Sequence, residues 1–374
     1  MGKELSVAMF GQKRLTREGG VEIVVKELCT RMVQGGCNVT CYNRSGYHVS
    51  GSEYDSNGKT EYDGICLKSV PTIEKKGLAA VSSSFFAALY SAFGKYDVVH
   101  IHAEGPALFC WLPKLCGKRI IVTIHGIDWQ RAKWGGFASR YIKFGEKVAV
   151  KYADDIIVLS KGVQKYFMDT YGRKTVFIPN GVNRPVFRSP QLMKEQLGLD
   201  KKEYILFLGR LVPEKGITYL VKAFKNVKTE KKLVIAGGSS DTDVFMQELK
   251  KLAKGDDRIL FTGFVQGQLL EELYSNAYVY CLPSDLEGMP LSLLEAMSYG
   301  NCCLTSDIAE CAEVIEDKAL TFRKSSTADL EDKLQYVCDH PEVVNILKVE
   351  AADFICRKYN WDEVVKQTLM LYRK

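Results

Sequence analysis

The sequence predicts an α/β protein built as two doubly wound domains, and three observations carry that prediction. Its 374 residues exceed what one ordinary core accommodates and suit two domains of about 150–200 residues. Short Ile- and Val-rich strands alternate with amphipathic helices, the pattern of a parallel sheet covered on both faces. The alternation pauses over a polar, turn-like stretch at 189–202 and then begins again.

Residues 5–10 read as a short apolar strand, and a loop through Thr16-Arg-Glu-Gly-Gly20 leads to an apolar-periodic helix over 21–34. Gly35 and Gly36 turn the chain into a strand at 39–42, completing the opening of a βαβ unit. Helices at 79–93, 107–115 and 137–152 then alternate with strands at 98–102, 120–124, 155–159 and 176–179. The first domain is expected to span 1–188. After a short helix within 189–202, a strand at 204–209 restarts the pattern. Helices at 217–227, 244–252, 269–276, 291–299 and 328–340 alternate with strands at 232–236, 259–262, 277–282 and 302–305. The second domain spans 189–355, and 356–374 forms a C-terminal segment.

Composition narrows the function classes. With 46% apolar and 26% charged residues, the chain is a folded protein rather than a disordered one. Only six apolar residues precede the return of charge at the N-terminus, so no signal peptide is expected, and no uncharged apolar run approaches the ~20 residues of a membrane span. Twelve cysteines lie scattered in apolar contexts without metal-ligand spacing and read as reduced, buried and cytosolic. The net charge of +6 is uneven: residues 1–188 hold 27 Lys and Arg against 16 Asp and Glu, and residues 189–374 hold 24 against 29. Basic character confined to one half, with no recognised binding module, argues against nucleic acid as a partner.

The most informative run is 283–300. A strand ends near Leu282, a short loop carries Glu287 and Gly288, and Pro290 stands where helices accept proline, in the first turn. The first-turn N–H groups after Gly288, in the run Gly288, Met289, Pro290, Leu291, are free donors able to meet phosphate or sugar oxygens. Glu295, about one turn into the helix, interrupts the apolar series Leu293, Leu294, Ala296, Met297 and is placed to reach a ribose diol. The competing reading makes Glu287 a dipole partner and Glu295 a solvated helix residue.

That run resembles the E-x7-E region of the retaining glycosyltransferases of family 4, whose fold is the two-Rossmann-domain GT-B type with domains facing an interdomain cleft. The resemblance implies that Glu287 contacts hydroxyls of the transferred sugar and Glu295 the nucleotide ribose. A second motif, Gly209-Arg-Leu-Val-Pro-Glu-Lys-Gly216, follows a strand and presents two cations, for which a diphosphate is a fitting partner. The family assigns Arg210 and Lys215 to the nucleotide diphosphate, while pairing with Glu214 or solvent is the alternative. Gly19 and Gly20, between strand and helix, permit close backbone approach to the donor, as Gly209, Gly237 and Gly238 do in the second domain. His125 follows a buried strand in Thr-Ile-His-Gly-Ile-Asp; in the family the histidine of this HG motif lies beside the donor sugar, and Asp128 orients it or meets acceptor. Asn180 and Gly181 match the family's PNGV turn. Asp241-Thr-Asp243 has a metal-binding form but immediately precedes a helix, where aspartates cap free N–H groups, so no metal is expected.

The resemblance implies a retaining transfer from a nucleotide-sugar, UDP-sugar favoured, as donor substrate with no separate cofactor. A same-face path, in which the leaving phosphate takes the acceptor's proton, needs no protein base. His125, Arg210, Lys215 and Glu287 are the expected catalytic set. The expected acceptor is a saccharide or lipid-linked saccharide of the cell envelope; a small soluble acceptor and a non-catalytic scaffold are the alternatives. On 137–151, Phe137, Tyr141, Phe144 and Val148 form one helical face and Arg140, Lys143, Lys147 and Lys151 another; one reading is core packing with a solvated charged face, the other peripheral contact with anionic membrane at the inner face of the cell membrane. The final helix, around 361–372, is implied to return to the first domain.

Overall fold

The computed structural model describes residues 4–15, 19–46, 60–75, 77–130, 135–238 and 243–374. Contacts divide the chain into Met1–Asn180 with Trp361–Lys374, and Gly181–Asn360. These bounds differ from the expected 188 and 355 for identifiable reasons. The Val182 N–H donates to the Tyr359 carbonyl, which ties the chain after Asn180 to the second unit. Ile355 and Tyr359 are buried in that unit's core, so the helix before Trp361 belongs to it.

In the first unit, β1 (Ser6–Phe10) leads through α1 (Gly20–Gln34) to β2 (Asn38–Arg44), then β3 (Glu61–Tyr62), β4 (Ile65–Val70) and α2 (Leu78–Phe93). The chain continues with β5 (Val98–His102), α3 (Glu104–Ala107), α4 (Trp111–Leu115), β6 (Arg119–Ile124), α5 (Gly136–Tyr152), β7 (Asp155–Val158), α6 (Lys161–Tyr171) and β8 (Val176–Phe177). Among the described residues these strands form one sheet in the order β3-β4-β2-β1-β5-β6-β7-β8. Every pairing is parallel except β3 with β4. The central strands are buried on both faces, as continuous apolar sequences such as Ile120–Ile124 require.

The second unit repeats the plan. It contains α7 (Leu192–Leu197), β9 (Tyr204–Leu208), α8 (Ile217–Asn226), β10 (Lys232–Ala236), α9 (Asp243–Ala253), β11 (Ile259–Gly263), α10 (Gly267–Asn276) and β12 (Val279–Leu282). There follow α11 (Leu291–Ser298), β13 (Cys302–Ser306), α12 (Ala309–Ile315), β14 (Leu320–Phe322), α13 (Thr327–Asp339) and α14 (Pro341–Lys358). The sheet order is β11-β10-β9-β12-β13-β14. The last helix, α15 (Trp361–Tyr372), packs with the first unit: the Arg119 guanidinium donates to the Leu371 carbonyl at 2.7 Å.

Strand order reverses between β1 and β5 in one sheet and between β9 and β12 in the other. In such sheets ligands generally bind beyond the carboxyl ends of the strands that flank the reversal. At both reversals a glycine allows backbone crossing. A Cβ on Gly11 (φ +119°) would overlap the His102 carbonyl, and one on Gly216 (φ +67°) the Pro283 carbonyl.

Two expectations need correction, and one open alternative is decided. The single helix over 107–115 is two short helices, because Pro113 has no N–H; tight bonds such as Leu112 N–H to Phe109 carbonyl join them. Core packing of the whole aromatic face at 137–152, one of the two readings, is not what forms: Tyr141 and Val148 are half-buried, but Phe137 and Phe144 are exposed. Ile142, Gly145, Glu146 and Ala149 turn inward instead, since a side chain at Gly145 would overlap the Glu104 carbonyl of α3. Phe137 and Phe144 are 81% and 58% exposed. Pro290 stands just outside α11 as its N-cap, in extended backbone, rather than in the first turn. Asp241 and Thr242 lie outside the described residues, as do Thr16, Arg17 and Glu18 of the first glycine loop.

Each of the twelve cysteines is free, and Cys116 alone among them is exposed. Cys302 and Cys303 sit fully buried in β13, where burial pushes the Cys302 thiol up to about 12.

The crossing glycines are separable from ordinary ones by mutation. Gly216→Ala is expected to cost at least the ~1–3 kcal/mol of a strained left-handed residue, lowering Tm by on the order of 2–4 °C per kcal/mol. Gly117→Ala, also at positive φ but with nothing within 4 Å of its Cβ, is the control. Thermal melts of both variants check this, and equal shifts would contradict the crossing.

Candidate functional site

Two loops meet at the strand reversal of the second unit. After β9, the chain runs Gly209 to Gly216; after β12, it runs Pro283 to Pro290. The Asp285 N–H donates to the Glu214 carbonyl at 2.9 Å, and the Asp285 carboxylate accepts from Tyr219 at 2.8 Å and Ser325 at 2.7 Å. With the Gly216–Pro283 crossing, these bonds hold the loops in register.

That register brings Lys215 and Glu287 together. Lys215 Nζ lies 2.5 Å from Glu287 Oε1, and their side chains are only 14% and 8% exposed. Ser284 Oγ donates to the same oxygen at 2.6 Å. The lysine therefore pairs with Glu287 and not with its neighbour Glu214, whose two buried carboxylate oxygens make no hydrogen bond among the described residues. Arg210 is half-buried at the start of the same loop, and its side chain has no hydrogen bond or ion pair among the described residues. The loop from Gly209 to Gly216 thus carries two cations, of which Lys215 has a carboxylate partner, and a multivalent anion suits two such cations.

Glu295 is half-buried one turn into α11, and its Oε2 accepts from Tyr274 at 3.0 Å. Burial, with the nearby Glu295 charge, holds the Tyr274 phenol well above its ordinary range, so it remains a donor. Tyr280 donates to Ser292 Oγ at 2.8 Å and so braces the first turn of α11. Gly237 (φ +146°) approaches so closely that its Cβ would overlap the Gly209 carbonyl, and the Leu211 N–H donates to Gly238 at 3.0 Å. Gly209, Arg210, Lys215, Gly237, Glu287, Gly288 and Glu295 thus share one strand-end region.

In the first unit His125 immediately follows β6, the strand next to β5 of the reversal, and is 8% exposed. Its Nε2 lies 3.0 Å from His102 Nδ1. The ring beside it is thus His102, on the neighbouring strand, a residue that sequence reading placed only within a strand. His100 stacks on His102 at 4.4 Å. Asp128 directs its backbone N–H to Glu104 Oε1 at 3.0 Å. Gly19 is the extended N-cap of α1 and Gly20 its first residue. The Glu22 carboxylate lies against Gly19, where a Cβ would overlap it, and accepts from the Lys13 N–H at 2.9 Å.

Several residues at these reversals escaped sequence reading: His102, Glu104, Ser284, Tyr274 and Glu310. Burial raises the Glu310 carboxyl, and the Glu287 charge adds to that. Only His100-x-His102 left a readable signal, two polar rings at strand period in an otherwise apolar segment.

Comparison with known proteins covers both units. Residues 190–353 match the family described as glycosyl transferases group 1, and residues 18–184 match glycosyltransferase family 4. The chain is 27% identical over 288 residues to the phosphatidyl-myo-inositol mannosyltransferase of Mycobacterium leprae, covering 75% of this chain and 74% of that one. Sucrose-phosphate synthase from Thermosynechococcus elongatus superposes with a TM-score of 0.80 at 20% identity, over 99% of this chain and 98% of that one. An Anabaena protein crystallised with UDP and glucose gives 0.81 at 14% identity, over 98% of each chain. These structural likenesses show the GT-B fold.

Glu104 supplies a test of the first unit's electrostatics. It is fully buried, its Oε2 makes no hydrogen bond among the described residues, and burial, then the Asp128 charge, hold its carboxyl well above the usual range. The folded state therefore keeps this proton to higher pH than the unfolded chain does, and stability falls as pH rises above the unfolded value of about 4.3. Glu104→Gln is expected to raise Tm, and by more at pH 8 than at pH 4. Melting curves at the two pH values check this; a lower Tm at pH 8 would contradict it.

Proposed function

The chain belongs to the family 4 glycosyltransferases, and from that premise we propose that it moves a sugar from a nucleotide-sugar, with a UDP-sugar favoured, to a hydroxyl of a saccharide or lipid-linked saccharide of the cell envelope, retaining anomeric configuration and using no metal ion. The observation that carries this reading is the loop pair at the second unit's strand reversal, where Arg210, whose side chain is unpaired among the described residues, shares a loop with Lys215 of the buried Lys215–Glu287 pair. A nucleoside diphosphate is the donor part whose charge fits two cations. Support for UDP comes from the Anabaena protein of the same fold, which was crystallised with UDP and glucose. Support for a lipid-linked acceptor comes from the mannosyltransferase relative, whose name specifies phosphatidyl-myo-inositol.

As the bond between the anomeric carbon and the phosphate oxygen breaks, negative charge collects on the leaving diphosphate. Arg210 and Lys215 then stabilise the transition state more than the bound donor, so they act on turnover as well as affinity. Glu287, oriented by Lys215 and Ser284, receives the sugar hydroxyls. Glu295, oriented by Tyr274, receives the ribose diol. The acceptor hydroxyl attacks from the face the diphosphate leaves, and its proton passes to the departing phosphate.

Arg210→Ala and Lys215→Ala are each expected to lower kcat by about 10- to 100-fold, the equivalent of the ~1.5–3 kcal/mol of a charge-assisted hydrogen bond. The assay uses a panel of uridine, guanosine and thymidine diphosphate sugars with a lipid-linked acceptor extract. Nuclear magnetic resonance of the product reports the anomer, and inversion would remove the mechanism. Unchanged turnover in both variants would remove the diphosphate site, and loss of activity in EDTA would remove metal independence.

The same proposal places the protein at the cytoplasmic face of an anionic membrane. No helix among the described residues is long and apolar enough to cross a membrane. On α5, however, the exposed Phe137 and Phe144 stand among the exposed Arg140, Lys143 and Lys147. Apolar insertion beside cations is the physics of interfacial binding. Flotation with phosphatidylglycerol vesicles is expected to carry the wild type, and Phe137→Glu with Phe144→Glu to abolish it. Equal flotation of wild type and variant would count against this face.

A further inference from the structure

Three imidazoles line up inside the first unit at the end of β5 and β6. His100 and His102 are fully buried, and His125 is nearly so. Both nitrogens of His100 are engaged: Nδ1 with the Tyr372 hydroxyl of α15 at 2.5 Å, and Nε2 with Thr123 Oγ1 at 2.7 Å. Its ring is therefore fixed, and it stacks on His102 with an interplanar angle of 26°. His102 in turn places Nε2 at 3.1 Å from Met9 Sδ and Nδ1 at 3.0 Å from His125 Nε2.

We propose that His102 is a positioning residue that sets the tautomer of His125, which carries its proton on Nε2 and keeps Nδ1 unprotonated. A thioether has no proton and only accepts weakly, so a lone pair on His102 Nε2 facing sulfur at 3.1 Å would meet another lone pair. The His102 proton thus resides on Nε2. A second proton on this ring would create a fully buried charge with two imidazoles as its nearest ring neighbours. Burial, and then the charges of His100 and His125, hold its pKa well below the ordinary histidine value. With Nε2 protonated and the ring neutral, His102 Nδ1 is an acceptor. A group 3.0 Å from an acceptor makes a hydrogen bond only by donating, and that group is His125 Nε2.

The tautomer assignment stands independently of the proposed activity; its consequence rests on that reading. Toward a sugar hydroxyl, a neutral His125 fixed in this way accepts a hydrogen bond through Nδ1 and does not donate one. That selects hydroxyl-bearing partners over groups that only accept, such as a phosphate oxygen.

The test is nitrogen-15 spectroscopy of histidine-labelled protein without ligand. The chain has five histidines, and His125→Gln assigns the signal. At about pH 8, above the ordinary histidine pKa, His125 is expected to show a protonated Nε2 and an unprotonated, far-downfield Nδ1. The reverse tautomer in the wild type would overturn the proposal, and this result needs no variant to fold. His102→Asn, whose Oδ1 can replace the Nδ1 acceptor, is expected to preserve the His125 tautomer, whereas His102→Leu mixes the two forms. Preservation in His102→Leu at unchanged Tm would also overturn it. If the tautomer is as stated but His125→Ala transfers sugar at the wild-type rate, the assignment holds and the role of His125 in glycosyl transfer fails.

Discussion

The loops at each strand reversal cross more tightly than a Cβ permits, and the candidate sites depend on that crossing. At the second unit's reversal, Gly216 passes the Pro283 carbonyl and the Asp285 N–H bonds to Glu214. Only then do Lys215 and Glu287 come within 2.5 Å. Neither residue reaches the other from the secondary structure alone, since both sit in loops beyond strand ends. At the first unit's reversal, Gly11 passes the His102 carbonyl, and the strand pairing of His102 with Thr123 sets the distance at which His125 meets its neighbour.

Polar groups at these crossings are buried at a cost to folding. Glu214 and Glu104 hold carboxylate oxygens away from partners among the described residues, and His100 is pushed down to about 3 by burial. Such groups weaken a fold unless something else uses them. The large apolar core of the second unit, from Tyr204 and Phe207 to Leu330 and Val337, offsets that cost. The sites can then remain preorganised, with side chains already oriented by Ser284, Tyr274 and His102 before any ligand arrives.

Much of the fold was legible because apolar runs are local. The strands Val98–His102 and Lys232–Ala236 have the bounds their composition suggests. Ile65–Val70 was not seen, because exposed Lys68 and Ser69 interrupt its apolar character. The motif loops were legible as loops, and Glu287 and Lys215 as their charged residues. Their pairing was not, since 72 residues separate them and only the strand order places β9 beside β12. His102 and His125, 23 residues apart, were hidden for the same reason. At Phe137 and Phe144 apolar periodicity left core packing and outward contact both open, because it does not register the glycine contact on the opposite helix face.

The most direct test of the account is calorimetric titration of the unliganded protein with UDP and with GDP, comparing wild type, Lys215→Met and Glu287→Gln. If the loop pair is a diphosphate site, at least one nucleotide binds the wild type. Lys215→Met then weakens it by about tenfold or more, the scale of one charge-assisted hydrogen bond. Glu287→Gln binds it as tightly or more tightly, because a carboxylate no longer competes for the lysine. Wild-type affinity in Lys215→Met, with Arg210 intact, would contradict the central claim that this lysine holds the donor's diphosphate.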